Sequence, residues 1–261
     1  MKNLETIGKK FIELVEIMEK LRSEEGCPWD KEQTPESILP FLLEETYELI
    51  ESVHDKDWKT VQEEIGDLLL HAIFQAKMAE EKDRFTLLDS LKTISDKLIR
   101  RHPHVFGNAR VDKAKSAKQN WETVKHQEKG RSSRLDGVPV TLPSLVRAQR
   151  LQEKASYIGF EWDKIEEVWE KVHEEILELK EAQSTGAIKH IEEEIGDVLF
   201  SIVNLSRFLK ISSEDALRRT NNKFIARFKR IEAELKRRNQ PIENATLAEM
   251  DEIWEQIKST D

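Results

Sequence analysis

The chain has 261 residues, 36% charged and 38% apolar, with nine Gly, seven Pro and a formal net charge of −9. That acidic balance argues against a polymeric nucleic acid as partner, because a polyanion binder carries a basic surplus. Cys27 is the sole cysteine, no apolar run is long enough to cross a bilayer and no signal-peptide core opens the chain. A cytoplasmic protein without disulfides or membrane contact is therefore expected.

Apolar residues recur at helical spacing almost throughout, and no run alternates as a strand would, so the expected fold is all-α. Leu4, Ile7, Phe11, Leu14, Val15, Met18 and Leu21 mark an amphipathic helix over 4–21, followed by a turn from Gly26 to Asp30. Further helices are expected over 36–54, 58–82, 86–101 and 113–128. Residues 130–143 hold two Gly and two Pro and read as a linker. Helices then follow over 144–157, 164–183, 187–210, 213–238 and 246–258. The division is a domain at 1–129, a linker at 130–143 and a second domain at 144–261.

The two halves repeat one plan. Glu44, Glu45 and Glu48, then Glu64, Gly66 and Asp67, recur as Glu174, Glu175 and Glu178, then Glu194, Gly196 and Asp197, at a constant offset of 130. Gly26, Trp29, Asp30 and Lys31 recur as Gly159, Trp162, Asp163 and Lys164 at an offset of 133. Lys97 and Arg101 pair with Lys223 and Arg227, and Trp121 and Lys125 with Trp254 and Lys258. Blocks kept intact while loops change length indicate a tandem duplication of a helical-bundle module.

Residues three or four apart share a helix face, so each copy presents E-x-x-E on one helix and E-x-x-D on another. Inward-facing carboxylates repel unless a cation lies between them, and all-oxygen anionic ligation suits a hard divalent ion such as Mg²⁺. A lone E-x-x-E in so acidic a chain is ordinarily a solvated face; retention of the spacing in both copies argues against that here. The E-x-x-D face continues through Ser201 and Asn204 in the second copy, and through His71 and then Phe74 in the first. Gly66 and Gly196, in mid-helix, suggest close approach of a partner helix.

Arg218 to Arg230 carries six cationic side chains, Lys223 and Arg227 among them, and no acid. An acidic metal site with Lys and Arg nearby is what a triphosphate–Mg²⁺ complex needs. Trp254 reads either as a stacking platform for a base, with Lys258 one turn on, or as a core or dimer anchor. His102-Pro103-His104 occurs in the first half only and reads as turn residues rather than metal ligands; Cys27 reads as packing. Two rivals stand beside this account. A di-iron carboxylate bundle would use Glu51 with His54 and Glu170 with His173, but those pairs break the repeat. A non-catalytic nucleotide-sensing regulator fits the first half better than the second.

The doubled E-E-x-x-E and E-x-x-D, with Arg101-His-Pro-His-Val-Phe106-Gly107, Leu135-Asp-Gly-Val-Pro139 and Asn221-Asn-Lys223-Phe-x-x-Arg227-Phe228, resembles the MazG family. This is a family of two-domain nucleoside triphosphate pyrophosphohydrolases in the all-α NTP pyrophosphatase superfamily. The resemblance implies a homodimer that hydrolyses NTPs and dNTPs of broad base range to NMP and pyrophosphate with Mg²⁺, Mn²⁺ being able to substitute. It implies Glu175, Glu178, Glu194 and Asp197 as metal ligands, with Glu174 or Glu175 acting on the attacking water. It assigns Lys223, Arg227, Trp254 and Lys258 to the nucleotide, and favours the second half as the active one. The first half keeps Glu44, Glu45, Glu48, Glu64, Asp67, Lys97, Arg101, Trp121 and Lys125 as a possible second site.

Overall fold

The structure, a computed structural model, describes residues 3–107, 128 and 132–259. It is all-α: among the described residues there is no strand. The chain divides into two compact units, Met1–Trp121 and Glu122–Asp261. In the first lie α1 (Leu4–Arg22), α2 (Pro28–Glu32), α3 (Leu39–Asp55), α4 (Trp58–Glu80), α5 (Leu87–Arg101) and α6 (Pro103–Phe106). In the second lie α7 (Ser144–Ser156), α8 (Ile165–Thr185), α9 (Ile188–Phe208), α10 (Ser213–Arg237), a 3-10 turn (Ile242–Asn244) and α11 (Leu247–Lys258). The helix expected over 113–128 lies outside the described residues, save Glu128, as do Trp121 and Lys125.

Capping side chains set several of these boundaries. Asn3 accepts from Thr6 N, and Thr86 with Asp89, like Thr246 with Glu249, forms a reciprocal capping box. The long helix of each acidic hairpin begins just after a tight reversal. Lys56 (φ 58°) ends α3 and Gly186 (φ 69°) ends α8, both in the left-handed region that stops a helix within one residue.

Three expectations change. Gly26 to Asp30 is a turn only as far as Cys27; Pro28, with its φ preset, opens the short helix α2. The E-x-x-E helix of the first unit begins at Leu39 rather than residue 36. The close-approach reading of Gly66 and Gly196 is corrected: a Cβ at either would meet nothing within 4 Å, because both lie on exposed faces of α4 and α9.

Packing builds one hairpin per unit. In the first unit α3 lies against α4, and α1 adds to a core of Met18, Ile38, Ile73, Phe74 and Met78. In the second, α8 lies against α9 around Val168, Val172 and Leu205. A separate cluster of Ile231, Leu235, Ile253 and Ile257 joins α10 to α11. The segment read as a linker belongs, from residue 132 on, with the second unit: Lys154, 5% exposed, donates from Nζ to Arg134 O at 3.0 Å.

Candidate active site

In the second unit α8 supplies Glu175, and α9 supplies Glu194 and Asp197 one turn apart. A carboxylate oxygen from each lies within 4.8 Å of the others. Glu45, Glu64 and Asp67 converge in the same way in the first unit. Glu64 Oε2 and Glu194 Oε2 are buried without a hydrogen-bond partner. Buried anionic oxygens left unpaired are costly, and a hard cation would satisfy them, so both triads fit a divalent metal ion.

Electrostatics separates the two sites. The pKa of Glu45 is raised to about 7 by burial, by a hydrogen bond to Glu64 and by the charges of Asp67, Glu48 and Glu64. In the second unit a counter-charge is already present. Lys171 Nζ lies 2.7 Å from Glu175 Oε1 and 2.9 Å from Glu174 Oε1, and this pairing raises the lysine pKa above its ordinary value. At the repeat offset of 130 the first unit has Phe41 in place of Lys171. His190 Nδ1 stands 3.4 Å from Glu194 Oε1 and has Thr60 as its counterpart.

The fourth acid of each set stands apart. Glu178 and Glu48 are exposed and lie outside the converging triads. Glu178 adjoins Glu175 all the same: partial desolvation first, then the charge and hydrogen bond of Glu175, raise its pKa. Glu174 and Glu44 are exposed as well.

A cavity of about 500 Å³ opens beside the second triad, within the range of small-molecule sites. Glu175 and Asp197 line it at the acidic end, with Lys171. Leu151, Ile158, Phe160, Trp162, Val168 and Phe200 form apolar walls, and Leu135, from the segment read as a linker, closes on it. Gln152, Ser201, Asn204 and the Arg207–Glu161 pair supply the remaining polar lining. The first unit differs at the equivalent position. Phe74 stands where the second unit has Asn204 and is 5% exposed in the core. The Arg22 guanidinium lies 5.2 Å from its ring centroid, at the position of Ala155.

The cationic set assigned to the nucleotide does not line this cavity. Lys223 is exposed on α10, and Arg227 lies 5.5 Å over the ring of Trp254. Trp254 packs against the α10–α11 cluster and tilts against Phe224 at 5.5 Å, and Lys258 pairs with Glu255. In the first unit Lys97 is half-buried and Arg101 is buried.

Three further histidines turn back on their own helices. His54, His102 and His173 each bring Nδ1 to the carbonyl one turn earlier, of Ile50, Leu98 and Trp169, at 2.6–2.8 Å. None of them, nor His104, joins a converging ligand group among the described residues. That removes the geometric basis for a di-iron site. Lys171, Gln152, Asn204 and Arg207 are the site residues that repeat-matching undervalued, since their counterparts are Phe41, Glu19, Phe74 and Lys77.

A family model described as the MazG nucleotide pyrophosphohydrolase domain matches twice, over residues 33–106 and 164–231. The chain is 48% identical over 256 residues to a nucleoside triphosphate pyrophosphohydrolase/pyrophosphatase MazG of Thermotoga maritima, covering 97% of this chain and 98% of that relative. It is 41% identical over 251 residues to a nucleoside triphosphate pyrophosphohydrolase of Escherichia coli, covering 94% and 95%. A nucleoside triphosphate pyrophosphohydrolase of Mycobacterium tuberculosis is 37% identical over 154 residues, which is 58% of this chain and 46% of the relative.

Proposed function

The chain belongs to the MazG nucleotide pyrophosphohydrolase family, and from that membership we propose that it hydrolyses nucleoside triphosphates to nucleoside monophosphate and pyrophosphate. The supporting observation is the placing of Glu175 and Asp197 on the wall of an otherwise largely apolar cavity, which suits a nucleotide with a charged tail and a flat base.

Glu175, Glu194 and Asp197 hold the metal, and Glu178 joins them as the fourth carboxylate. The ion we assign is Mg²⁺, with Mn²⁺ able to substitute; when bound it supplies polarisation of the reacting phosphate. Glu174 or Glu175, both tied to Lys171 Nζ, orients the attacking water or takes its proton. Lys171 stands beside the acids to meet the phosphate chain. The substrates are NTPs and dNTPs of broad base range, in a cytoplasmic setting.

We assign a homodimer as the working form. Ile195, Leu199 and Ile202 leave an apolar strip of α9 exposed, and Lys223, Arg227, Trp254 and Lys258 lie away from their own unit's cavity. Those four then meet the nucleotide bound by the second copy. For the first unit, the replacement of Asn204 by the core residue Phe74 favours a cation-holding or regulatory role over turnover.

The test is direct. Purified protein is incubated with Mg²⁺ and several NTPs, and pyrophosphate is assayed separately from phosphate. Stoichiometric NMP and pyrophosphate is the expected result; phosphate with NDP would overturn the reading.

A further inference from the structure

Two side chains of the cavity face it with a hydrogen-bonding pattern that the chain leaves incomplete. Gln152, 8% exposed, donates from Nε2 to Phe200 O at 2.8 Å. That bond fixes which way the amide lies, because the oxygen cannot donate to a carbonyl. Gln152 Oε1 is then an acceptor, and it is buried without a partner. Asn204, 6% exposed, accepts at Oδ1 from Arg207 Nε at 3.1 Å and Nη2 at 2.7 Å. Arg207 is itself clamped by Glu161 at 2.7 Å through both Nη atoms. With two Arg207 donors on Oδ1 that atom is the amide oxygen, so Nδ2 is the donor Asn204 has to offer.

Asp197, Ser201 and Asn204 follow one another on the same face of α9, so Asn204 lies about 10 Å along the helix from the metal triad. A nucleotide whose phosphates meet the triad has its base at that depth, between the apolar walls. We propose that Gln152 and Asn204 read the edge of the nucleobase, Gln152 Oε1 accepting from a base N–H and Asn204 Nδ2 donating to a neighbouring base acceptor. The inference rests on the triphosphate reading above and deepens it.

One donor beside one acceptor is common to all four bases. Adenine and cytosine offer an amino group beside a ring nitrogen, and guanine and uracil a ring N–H beside a carbonyl. A fixed acceptor–donor pair therefore admits every standard base in some orientation. It rejects a base whose edge lacks an N–H, since Gln152 Oε1 would stay unpaired. Neither residue has an equivalent in the first unit, where the counterparts are Glu19 and Phe74.

The experiment compares kcat/KM for pyrophosphate release from ATP and from purine riboside triphosphate, which lacks only the 6-amino group. Wild-type protein should favour ATP by at least about tenfold. Gln152→Met should bring the ratio close to one by slowing ATP more than the purine analogue. Asn204→Asp, which replaces the donor by an acceptor of the same shape, should slow ATP by about tenfold. A wild-type ratio near one overturns the proposal without needing any variant to fold. So does a full ratio in Gln152→Met of native helicity, or wild-type ATP turnover in Asn204→Asp. Failure of every NTP to yield pyrophosphate is a different result: it defeats the reading of the site, and this inference with it.

Discussion

Lys171 Nζ stands 2.7 Å from Glu175 Oε1, so the most buried acid of the second triad carries a counter-charge before any metal arrives. Under the proposed site, the lysine would compete with the ion for one carboxylate and then be free to meet phosphate. Lys171→Met should therefore tighten divalent-ion binding by roughly two- to tenfold in calorimetric titration, while lowering kcat/KM for NTP by about tenfold. Weaker metal binding in that variant would contradict the competition.

Phe74 and Asn204 occupy equivalent turns of α4 and α9: Phe74 packs in the core of the first unit, and Asn204 lines the cavity of the second. Asn204→Phe should fill the second cavity and reduce pyrophosphate release by at least about 100-fold, with helicity by circular dichroism unchanged. The reciprocal position is a packing residue. Phe74→Ala should destabilise the first unit by about 3–5 kcal/mol in denaturant unfolding, through lost burial and the cavity left behind. A cost below about 1 kcal/mol would contradict its place in the core.

Arg22, 7% exposed in its side chain, fixes α1 to the end of α4 through a two-point bond to Glu81 at 2.7 and 2.6 Å. It also donates to the carbonyls of Asp30 and Gln33. The hydrogen bond and charge of Arg22 hold the Glu81 pKa below its ordinary value. An acid with a lowered folded pKa stabilises above its unfolded pKa, and that contribution is lost as pH falls through the folded value. Glu81→Gln should cost about 1–2 kcal/mol at pH 7, and the difference from wild type should shrink as pH drops below about 4. A difference constant from pH 7 to pH 3 would contradict the pairing.

Much of this architecture was legible because duplication acts as an internal control. Spacing marks Glu174, Glu175, Glu178, Glu194 and Asp197 as acids on facing helices, since helical periodicity converts E-x-x-E and E-x-x-D into shared faces, and the family resemblance names the ligand set among them. Helix ends came within one to three residues wherever a cap or a glycine marked them, as at Thr86 and Gly186. The cavity was not legible. Its walls draw on α7, α8, α9 and the segment at Leu135, and no local pattern says that Gln152 and Asn204 line one cavity. Lys171 escaped for the opposite reason: its counterpart is Phe41, so an argument built on repetition passes over it. Gly196 shows the limit of inferring packing from composition, since its α-carbon faces open space.

The central claim is that the second triad performs the chemistry and the first does not. It is tested most directly by pyrophosphate release in the full-length Asp197→Ala and Asp67→Ala variants, at equal helicity and saturating Mg²⁺. The account predicts a loss of at least about 100-fold for Asp197→Ala and less than about twofold for Asp67→Ala. Equal losses in the two, or near wild-type turnover in Asp197→Ala, would contradict it.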